Sequence, residues 1–161
     1  MVADATGSVT ERLLALLTAG GAAFEVIQHA PVRTSEEAAA IRKTPPEQGA
    51  KALAFQADGR NVLLVVPGHR RLDTRGFKRA YSVKDLRLLP VTDLLMLTGL
   101  EPGAVPPFGS ILGFPTFADE GLLREPRIVF NAGSRSVSVL LDTADYVRLE
   151  QPGVGRIAAD Q

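Results

Sequence analysis

A β-hairpin in the middle of the chain is the feature that most constrains its fold. Residues 51–56 and 61–66 are two apolar runs that flank Asp58-Gly59, and an Asp-Gly pair between two such runs is typical of a tight hairpin turn. The second run is almost continuously apolar. Because a strand of this composition is buried on both faces, we expect it in the middle of a sheet.

Helical patterns flank this hairpin on both sides. Residues 9–18 form an amphipathic pattern behind Ser8, which predicts a first helix. Thr34 and Glu37 have the spacing of a capping box and predict a second helix before Pro45. A third amphipathic stretch, residues 91–97, precedes Gly99, where a left-handed helix cap is expected.

The remaining strand-like segments determine the predicted fold class. Residues 24–28, 110–114, 127–131 and 136–141 have strand composition, the turn before the last contains Gly133, and the chain from residue 151 resembles a frayed tail. Strands and helices are interspersed without a regular βαβ repeat. We therefore expect an α/β fold of the α+β-like kind, in which one mixed sheet is curled toward a barrel and surrounded by helices.

Composition indicates one ordinary globular domain over residues 1–161 and excludes several classes of site. The chain has no Cys and only two His, His29 and His69, so a disulfide framework, a thiolate zinc site and a Cys nucleophile are impossible. We expect no metal and no cofactor. No apolar run approaches the roughly 20 residues of a spanning helix, and residues 1–10 lack the pattern of a secretory leader. We expect no membrane contact and a cytoplasmic location.

Positive charge is concentrated in one segment although the formal net charge is zero. Residues 69–87 contain seven Lys or Arg and two Asp, a combination that could follow a phosphate backbone locally. A solvated helical face is the alternative interpretation. The candidate nucleic-acid contacts in this segment are Arg70, Arg71, Arg75, Lys78 and Arg79.

A loop rich in Gly and Pro is the main candidate for chemistry. Residues 98–109 contain three Gly and three Pro; Gly allows close backbone approach and positive φ, whereas Pro locks φ and removes a donor. Such a loop presents backbone amides to a carbonyl or carboxylate oxygen, and the amides from Gly103 through Ala104 to Val105 are the candidates. A purely structural connector between a helix and a strand is the alternative.

Four motifs in the right order resemble a known family. They are His29-Ala30-Pro31 with Thr34-Ser35-Glu36-Glu37-Ala38; Gly49-Ala50-Lys51-Ala52-Leu53; Thr98-Gly99 with residues 103–109; and Asn131-Ala132-Gly133. Over about residues 24–148 the chain resembles the YbaK/prolyl-tRNA synthetase-associated editing domain, a family of trans-acting hydrolases that deacylate mischarged tRNA.

The resemblance implies a mixed, barrel-like α/β fold without a cofactor, and hydrolysis of the ester between an amino acid and the terminal ribose of tRNA. It implies that activity depends on Lys51, that Gly103 and Pro107 form the family's GxxxP loop, and that the pocket is lined by His29, Thr34, Ser35 and Gly133. The expected substrate is of the tRNA(Pro) type, and the expected partners are the acceptor end of mischarged tRNA and, transiently, an aminoacyl-tRNA synthetase. The oligomeric state is left open.

This chain departs from the family pattern at one point. Many members carry a histidine late in the chain, where this sequence offers Asn131 or Ser134. A non-catalytic module that binds aminoacyl-tRNA or an aminoacyl-adenylate is therefore the alternative function. The residues themselves also allow structural roles: Lys51 as an edge-strand lysine, His29 as a strand-end histidine, and Thr34 or Ser35 as a helix cap.

No Ser-His-Asp arrangement is indicated by the sequence. We expect direct attack by water, which the resemblance implies is assisted by the ribose hydroxyl of the substrate. Lys51 is expected to act as a charge clamp for the terminal phosphate or the developing oxyanion, since an exposed lysine stays protonated near neutral pH.

Overall fold

The computed structural model describes residues 7–160. Residues 1–6, on which the expectation about a leader partly depends, lie outside this range. The helices are α1 (Val9–Ala19), α2 (Ser35–Arg42), α3 (Thr74–Ala80), α4 (Val91–Thr98), α5 (Gly109–Leu112) and α6 (Thr143–Glu150). The strands are β1 (Phe24–Gln28), β2 (Ala50–Ala57), β3 (Arg60–Pro67), β4 (Leu86–Leu88), β5 (Thr116–Asp119), β6 (Arg127–Ser134), β7 (Val137–Asp142) and β8 (Gly153–Gly155).

The predicted hairpin is confirmed. Strands β2 and β3 pair antiparallel in register along their whole length, and Asp58 and Gly59 have φ values of 49° and 83°. Positive φ at both central residues is what a type I′ turn requires. Strand β3 also pairs parallel with β5, and its residues 63–66 are 0% exposed, so it lies in the middle of a sheet as expected.

The strands form two sheets instead of one curled sheet. A five-stranded sheet has the order β4-β2-β3-β5-β8, and a three-stranded sheet has the order β1-β7-β6. An isolated parallel bridge joins Gly49 to Val129, and within residues 7–160 the strands do not close into a barrel. The mixed α/β class is confirmed, whereas the barrel-like curl is wrong. On the edge of β2 away from β3, the last three residues of β2 pair with β4. Gly49, the residue before β2, forms the bridge to the second sheet. Strand composition alone does not indicate this arrangement.

Each face of the five-stranded sheet has its own apolar core. Alternate side chains of β3 point to opposite faces, so Leu63 and Val65 join the core shared with the second sheet, α1 and α6. Leu64 and Val66 join Phe77 of α3 in the other core. The sheet is therefore held from both sides, and its β2 strand is a rigid support for the residues at its start.

The predicted helix boundaries are confirmed where the signal is local. Thr34 accepts from the amide of Glu37 and completes a capping box at the start of α2, and Ser8 does the same for α1. Gly99 ends α4 with φ of 76°. These ends are determined by hydrogen bonds within a few residues.

Two predicted elements are wrong. The apolar stretch from 110 to 114 is not a strand but mostly the short helix α5, which Gly113 ends with φ of 78°; a short apolar run does not by itself distinguish helix from strand. The tail is not frayed, because Asp119 accepts hydrogen bonds from the amides of Ile157 and Ala158 at 2.9 and 2.8 Å. Strand β8 then pairs with β5.

Within residues 7–160 no helix has both the length and the apolar character that crossing a bilayer requires.

Candidate functional site

A cleft of about 210 Å³ opens where α2, the start of β2 and the loop between α4 and α5 meet. Its apolar walls come from Val32, Ala38, Ala39, Ala50, Ala52, Leu53 and Val105, and its polar groups from Arg33, Thr34, Ser35, Arg42, Lys51, Asn131 and Arg135, with Gly49, Gly68 and Gly103 at the backbone. Small side chains dominate the walls. The cleft therefore suits a small organic group next to polar or charged ones.

One face of α2 forms a wall of this cleft. Ser35, Ala38, Ala39 and Arg42 follow the spacing i, i+3, i+4, i+7, which places them on one side of a helix. All four line the cleft. The two alanines let the helix approach closely, and Arg42 extends from its last turn.

Lys51 lines the cleft from the start of β2, the first strand of the hairpin. It is the second residue of β2 and lies opposite Val66, and its Nζ donates a hydrogen bond to the Arg70 carbonyl at 3.0 Å. Burial lowers the pKa of the Lys51 amine from its ordinary value, Glu36 counteracts this, and Arg71 adds to it. The amine is thus held in place by backbone, without a carboxylate partner within 4 Å in the described part of the chain.

A bridge between the sheets brings the strand of Asn131 toward Lys51. Gly49, two positions before Lys51, bridges in parallel to Val129, two positions before Asn131. Lys51 and Asn131 both line the cleft. Asn131 Nδ2 donates to the Gly103 carbonyl at 2.6 Å, which brings the Gly/Pro loop to this point.

The loop has the predicted unusual backbone but offers fewer free amides than expected. Gly103 has φ of 89°, and neither its amide nor that of Val105 donates to another group within residues 7–160. The Ala104 amide, however, donates to the Glu101 carbonyl at 3.1 Å. The amides of Gly103 and Val105 are therefore without an acceptor in the described chain, whereas that of Ala104 is already used in a turn.

Four residues predicted for the pocket do not line it. The Ala104 carbonyl accepts from the Gly133 amide at 2.8 Å, and the Pro107 carbonyl accepts from the buried Tyr146 hydroxyl at 2.8 Å. Gly133 lies at an irregularity in β6 and not in a turn. These residues support the loop from behind, because their hydrogen bonds are directed toward β6 and α6.

His29 is the fourth residue outside the cleft. Its Nδ1 lies 2.8 Å from the Ala30 carbonyl and its Nε2 lies 2.7 Å from the Ser138 hydroxyl. A carbonyl only accepts, so Nδ1 carries the proton, and in the neutral ring Nε2 accepts from Ser138. His29 therefore reaches the cleft only through Ser138.

Thr34 and Ser35 both line the cleft, but their hydroxyl groups differ. Thr34 Oγ1 accepts from the Glu37 amide at 3.0 Å and is the cap of α2. The Ser35 hydroxyl makes no hydrogen bond within the region from residue 7 to residue 160, and a side chain at Gly68 would come within 3.0 Å of it. Ser35 is consequently the hydroxyl available to a bound group.

The basic segment divides into two parts. Arg70 and Arg71 lie near Lys51, since the Arg70 carbonyl accepts from its Nζ and the charge of Arg71 helps to lower its pKa. Arg75, Lys78 and Arg79 are on α3. Hydrogen bonds from the amides of Asp85 and Lys84 lower the pKa of Asp58 at the hairpin tip, and Lys78 lies near enough to add to this. Since β2 is eight residues long and a strand rises about 3.3 Å per residue, the tip is far from Lys51.

The sequence analysis missed a polar network behind the cleft. Arg42 donates from Nε to Ser138 Oγ and from Nη2 to Asn131 Oδ1, both at 2.8 Å, and Asn131 faces Ser138 in the β6–β7 register. Two features of the sequence could have indicated it: Arg42 lies on the face of α2 that carries the small residues, and Ser138 lies within the otherwise apolar strand β7. Only the tertiary structure shows that they meet.

The electrostatics of the cleft are one-sided. Arg33, Arg42, Lys51 and Arg135 line it, and no Asp or Glu does among the described residues. Arg135 forms an ion pair with Glu101 at 3.3 Å. In the same described region, no group of three or more His, Asp or Glu side chains could hold a metal ion. The cleft is therefore built to receive an anionic or electron-rich group.

Fold and cleft together define a small α/β domain whose cleft is lined by fixed cations and by a loop with unpaired amides. The family model of the aminoacyl-tRNA editing domain matches residues 29–149. The chain belongs to this family, and the predicted class, a deacylase that hydrolyses an ester bond, is confirmed.

Individual relatives agree with this membership. The chain is 37% identical over 158 residues to the multifunctional Ser/Thr-tRNA deacylase ProXp-y of Escherichia coli (strain K12), covering 94% of this chain and 95% of that protein. It is 38% identical over 90 residues to the proline–tRNA ligase of Solidesulfovibrio magneticus, a match that covers 55% of this chain and 15% of the ligase. A solved structure described as a proposed trans-editing enzyme for prolyl tRNA synthetase superimposes with a TM-score of 0.84 at 25% identity, covering 96% and 99% of the two chains.

Proposed function

We propose that this protein is a free-standing deacylase that hydrolyses the ester of mischarged seryl or threonyl tRNA. The observation that carries the proposal is a full-length match to a Ser/Thr-tRNA deacylase in a chain whose cleft joins Lys51 to the Gly103 loop. The narrower expectation, a substrate of the tRNA(Pro) type, has less support because the matched region is only 15% of a prolyl ligase.

The size of the cleft supports a small amino acid. Alanines from α2 and β2 form much of its wall, and the free hydroxyl of Ser35 lies on the same wall. A seryl or threonyl side chain would place its own hydroxyl within this polar and narrow space. A site that hydrogen-bonds a substrate hydroxyl rejects analogues without one far more strongly than a site that senses only a methylene.

The reaction requires stabilisation of one new negative charge. Water adds to the ester carbonyl carbon and loses one proton, which the neighbouring ribose hydroxyl relays. The carbonyl oxygen becomes an oxyanion, and the bond to the ribose oxygen then breaks as that oxygen takes up the relayed proton. The amides of Gly103 and Val105 are the proposed donors to the oxyanion, and losing one such donor typically costs about 3 kcal/mol of barrier. The ribose hydroxyl of the substrate assists the water.

Lys51 is proposed as the cation that assists this charge separation. Its amine is fixed by the Arg70 carbonyl at 3.0 Å, which removes the cost of ordering a flexible side chain during the reaction. We therefore assign it the role of charge clamp and not that of a base.

Wider contacts complete the proposal. We propose that Arg70 and Arg71, which lie near Lys51, contact the tRNA acceptor end, and that Arg75, Lys78 and Arg79 contact more distant phosphates. The whole chain would act as one editing domain in the cytoplasm, with transient contact to a synthetase. Shape and end recognition, not base reading, would select the paired stem.

A deacylation panel tests the function. Purified protein is incubated with Ser-, Thr-, Ala- and Pro-charged tRNAs, and the released amino acid is measured for the wild type, Lys51→Ala and the exposed hairpin variant Arg60→Ala. We expect release from seryl or threonyl tRNA, none with Lys51→Ala, and wild-type rates with Arg60→Ala. If every charged tRNA stays intact while a nonhydrolysable aminoacyl-adenosine binds, the protein is a binding module and the enzymatic proposal is wrong.

A further inference from the structure

Arg42 is a largely buried cation at the back of the cleft. It is the last residue of α2, lines the cleft, and its pKa is lowered to about 10 by burial. Its two hydrogen-bond partners, Ser138 Oγ and Asn131 Oδ1, are neutral. The buried charge is therefore solvated by two dipoles and is not neutralised.

The described residues contain no counter-charge for it. None of the ion pairs within residues 7–160 includes Arg42, and no acidic side chain of that range lines the cleft. Removing a charge from water without a counter-ion is costly. Such a cost is typical of a functional site, where the compensating group arrives with the ligand.

The guanidinium also has donors to spare. It carries five N–H groups in a planar fork, of which Nε and one on Nη2 are used. Nη1 lies beside the backbone of Gly49, where an added side-chain carbon would be 3.8 Å away. Both fixed bonds come from strands of the second sheet, so the orientation of the fork is set before any ligand binds.

We propose that the Arg42 guanidinium binds the phosphate on the 5′ side of the terminal nucleotide of the substrate. The inference rests on the proposed function, since the terminal nucleotide carries the ester. A phosphodiester is a permanent anion with oxygens that match the guanidinium fork. This contact exists before and after ester cleavage, so Arg42 binds and positions the substrate while Lys51 and the loop amides act at the ester.

Other cations of the cleft are less suited to this role. Arg135 is paired with Glu101 and donates from Nη2 to the Pro102 carbonyl at 2.6 Å, so it braces the loop. Arg33 is exposed and lacks fixed partners for its guanidinium within residues 7–160. A phosphate bound at Arg42 would instead gain a preorganised donor in a partly dry site, where charged hydrogen bonds are strongest.

Matched ligands with and without the phosphate test the proposal. Dissociation constants are measured by calorimetry for 3′-serylamino-3′-deoxyadenosine and for the same compound with a 5′-methyl phosphate, using the wild type, Arg42→Gln, Arg42→Lys and the exposed α6 variant Arg148→Gln. We expect the phosphate to tighten wild-type binding at least tenfold, which corresponds to about 1.4 kcal/mol. Arg42→Gln should reduce this factor to below about twofold, Arg42→Lys should retain part of it, and Arg148→Gln should retain all of it.

Two results would overturn the assignment. Equal wild-type affinity for the two analogues would mean that the phosphate is not bound. Equal weakening of both analogues by Arg42→Gln would mean that Arg42 only supports Asn131 and the loop. The Tm of each variant is compared with that of the wild type, so that weaker binding caused by unfolding is recognised.

A titration with methyl phosphate distinguishes failure of this inference from failure of the proposed function. If seryl tRNA is not hydrolysed and neither analogue binds, but methyl phosphate stabilises the wild type and not Arg42→Gln against heat, the phosphate site stands and the deacylase function fails. If seryl tRNA is hydrolysed but the phosphate has no Arg42-dependent effect in any ligand, the function stands and this inference is wrong.

Discussion

Removal of the Tyr146 hydroxyl should loosen the Gly/Pro loop and lower stability measurably. The side chain is 0% exposed, and its hydroxyl donates to the Pro107 carbonyl at 2.8 Å. Its ring packs edge-on against Phe108 with centroids 5.1 Å apart. Phenylalanine preserves this packing, so Tyr146→Phe removes only the hydrogen bond and leaves a buried carbonyl without its donor.

The size of the effect follows from that unpaired carbonyl. A buried polar group left without a partner costs about 1–3 kcal/mol. A loss of about 2 kcal/mol lowers the Tm of a domain of this size by roughly 4–8 °C. In urea the midpoint should fall by about 1 M if the slope is near 2 kcal/mol per M, with the slope itself unchanged.

The same variant has a defined pH dependence. Burial, and secondarily the charge of Glu150, raises the pKa of Tyr146 well above its ordinary value. A group whose pKa is higher in the folded state stabilises fully below the unfolded pKa, about 10, and loses that stabilisation as pH rises beyond it. The difference in unfolding free energy between the wild type and Tyr146→Phe should therefore shrink above about pH 10.

Tyr81→Phe is the matched control for this prediction. The Tyr81 ring also packs among aromatics, at 4.7 Å from Phe77 and from Phe117, but its hydroxyl makes no hydrogen bond in the described structure. We expect a change within about 0.5 kcal/mol near pH 7, as for ordinary partly exposed sites. If both variants unfold at the wild-type urea midpoint, the Tyr146 hydroxyl does not anchor the loop and the reasoning is refuted.

Three further substitutions test the loop, the polar network and the C-terminal segment after β8. Gly103→Ala should slow deacylation, because its φ of 89° disfavours a side chain and the new Cβ would lie 3.3 Å from Arg135 Nε; backbone strain alone costs about 1–2 kcal/mol. Asn131→Ala should lower kcat/KM about tenfold, or about 1.4 kcal/mol, since the Gly103 carbonyl loses its donor at 2.6 Å. Asp119→Ala should lower the unfolding free energy by about 3 kcal/mol or more, because its carboxylate holds the amides of Ile157 and Ala158.

Each of these variants has a control of the same chemical type. Gly21→Ala carries similar strain, with φ of 69° and no atom within 4 Å of a new Cβ, and should destabilise the fold without slowing catalysis. Asn61→Ala, whose Oδ1 has no hydrogen-bond partner within residues 7–160, should leave kcat/KM unchanged. Asp142→Ala removes an exposed carboxylate that makes no capping bond and should leave the unfolding midpoint near that of the wild type. If a control variant loses as much deacylation rate, kcat/KM or unfolding free energy as its test variant, the role assigned to the residue in that test variant is refuted.

Local signals explain why much of the fold was predictable. The Asp58-Gly59 turn, the capping box of Thr34 with Glu37 and the left-handed Gly99 all act through contacts within a few residues, and the sequence displays both partners. The strand from 110 to 114 was predicted wrongly because Gly113 ends a helical turn there, and short apolar runs are compatible with either element.

The order of the motifs was sufficient to identify the family and to select Lys51, Ser35 and Gly103 for the cleft. It did not separate cleft residues from those behind the loop, such as Pro107 and Gly133, because both kinds occur in the same short motif. Which carbonyl or amide of a loop is free depends on partners elsewhere in the chain. The Ala104 amide illustrates this, since only the turn to Glu101 shows that it is occupied.

The sequence by itself determined the central hairpin, the helix ends and the membership of an editing family, because each depends on residue types at short or ordered spacing. The tertiary structure alone decided that two sheets meet at Gly49 and Val129, that Lys51 and Asn131 line one cleft, and that Arg42 is a partly buried cation without a carboxylate partner in the described chain. The physical reason is that charge compensation and strand register are set by neighbours about 80 to 90 positions away in sequence, which no local pattern specifies.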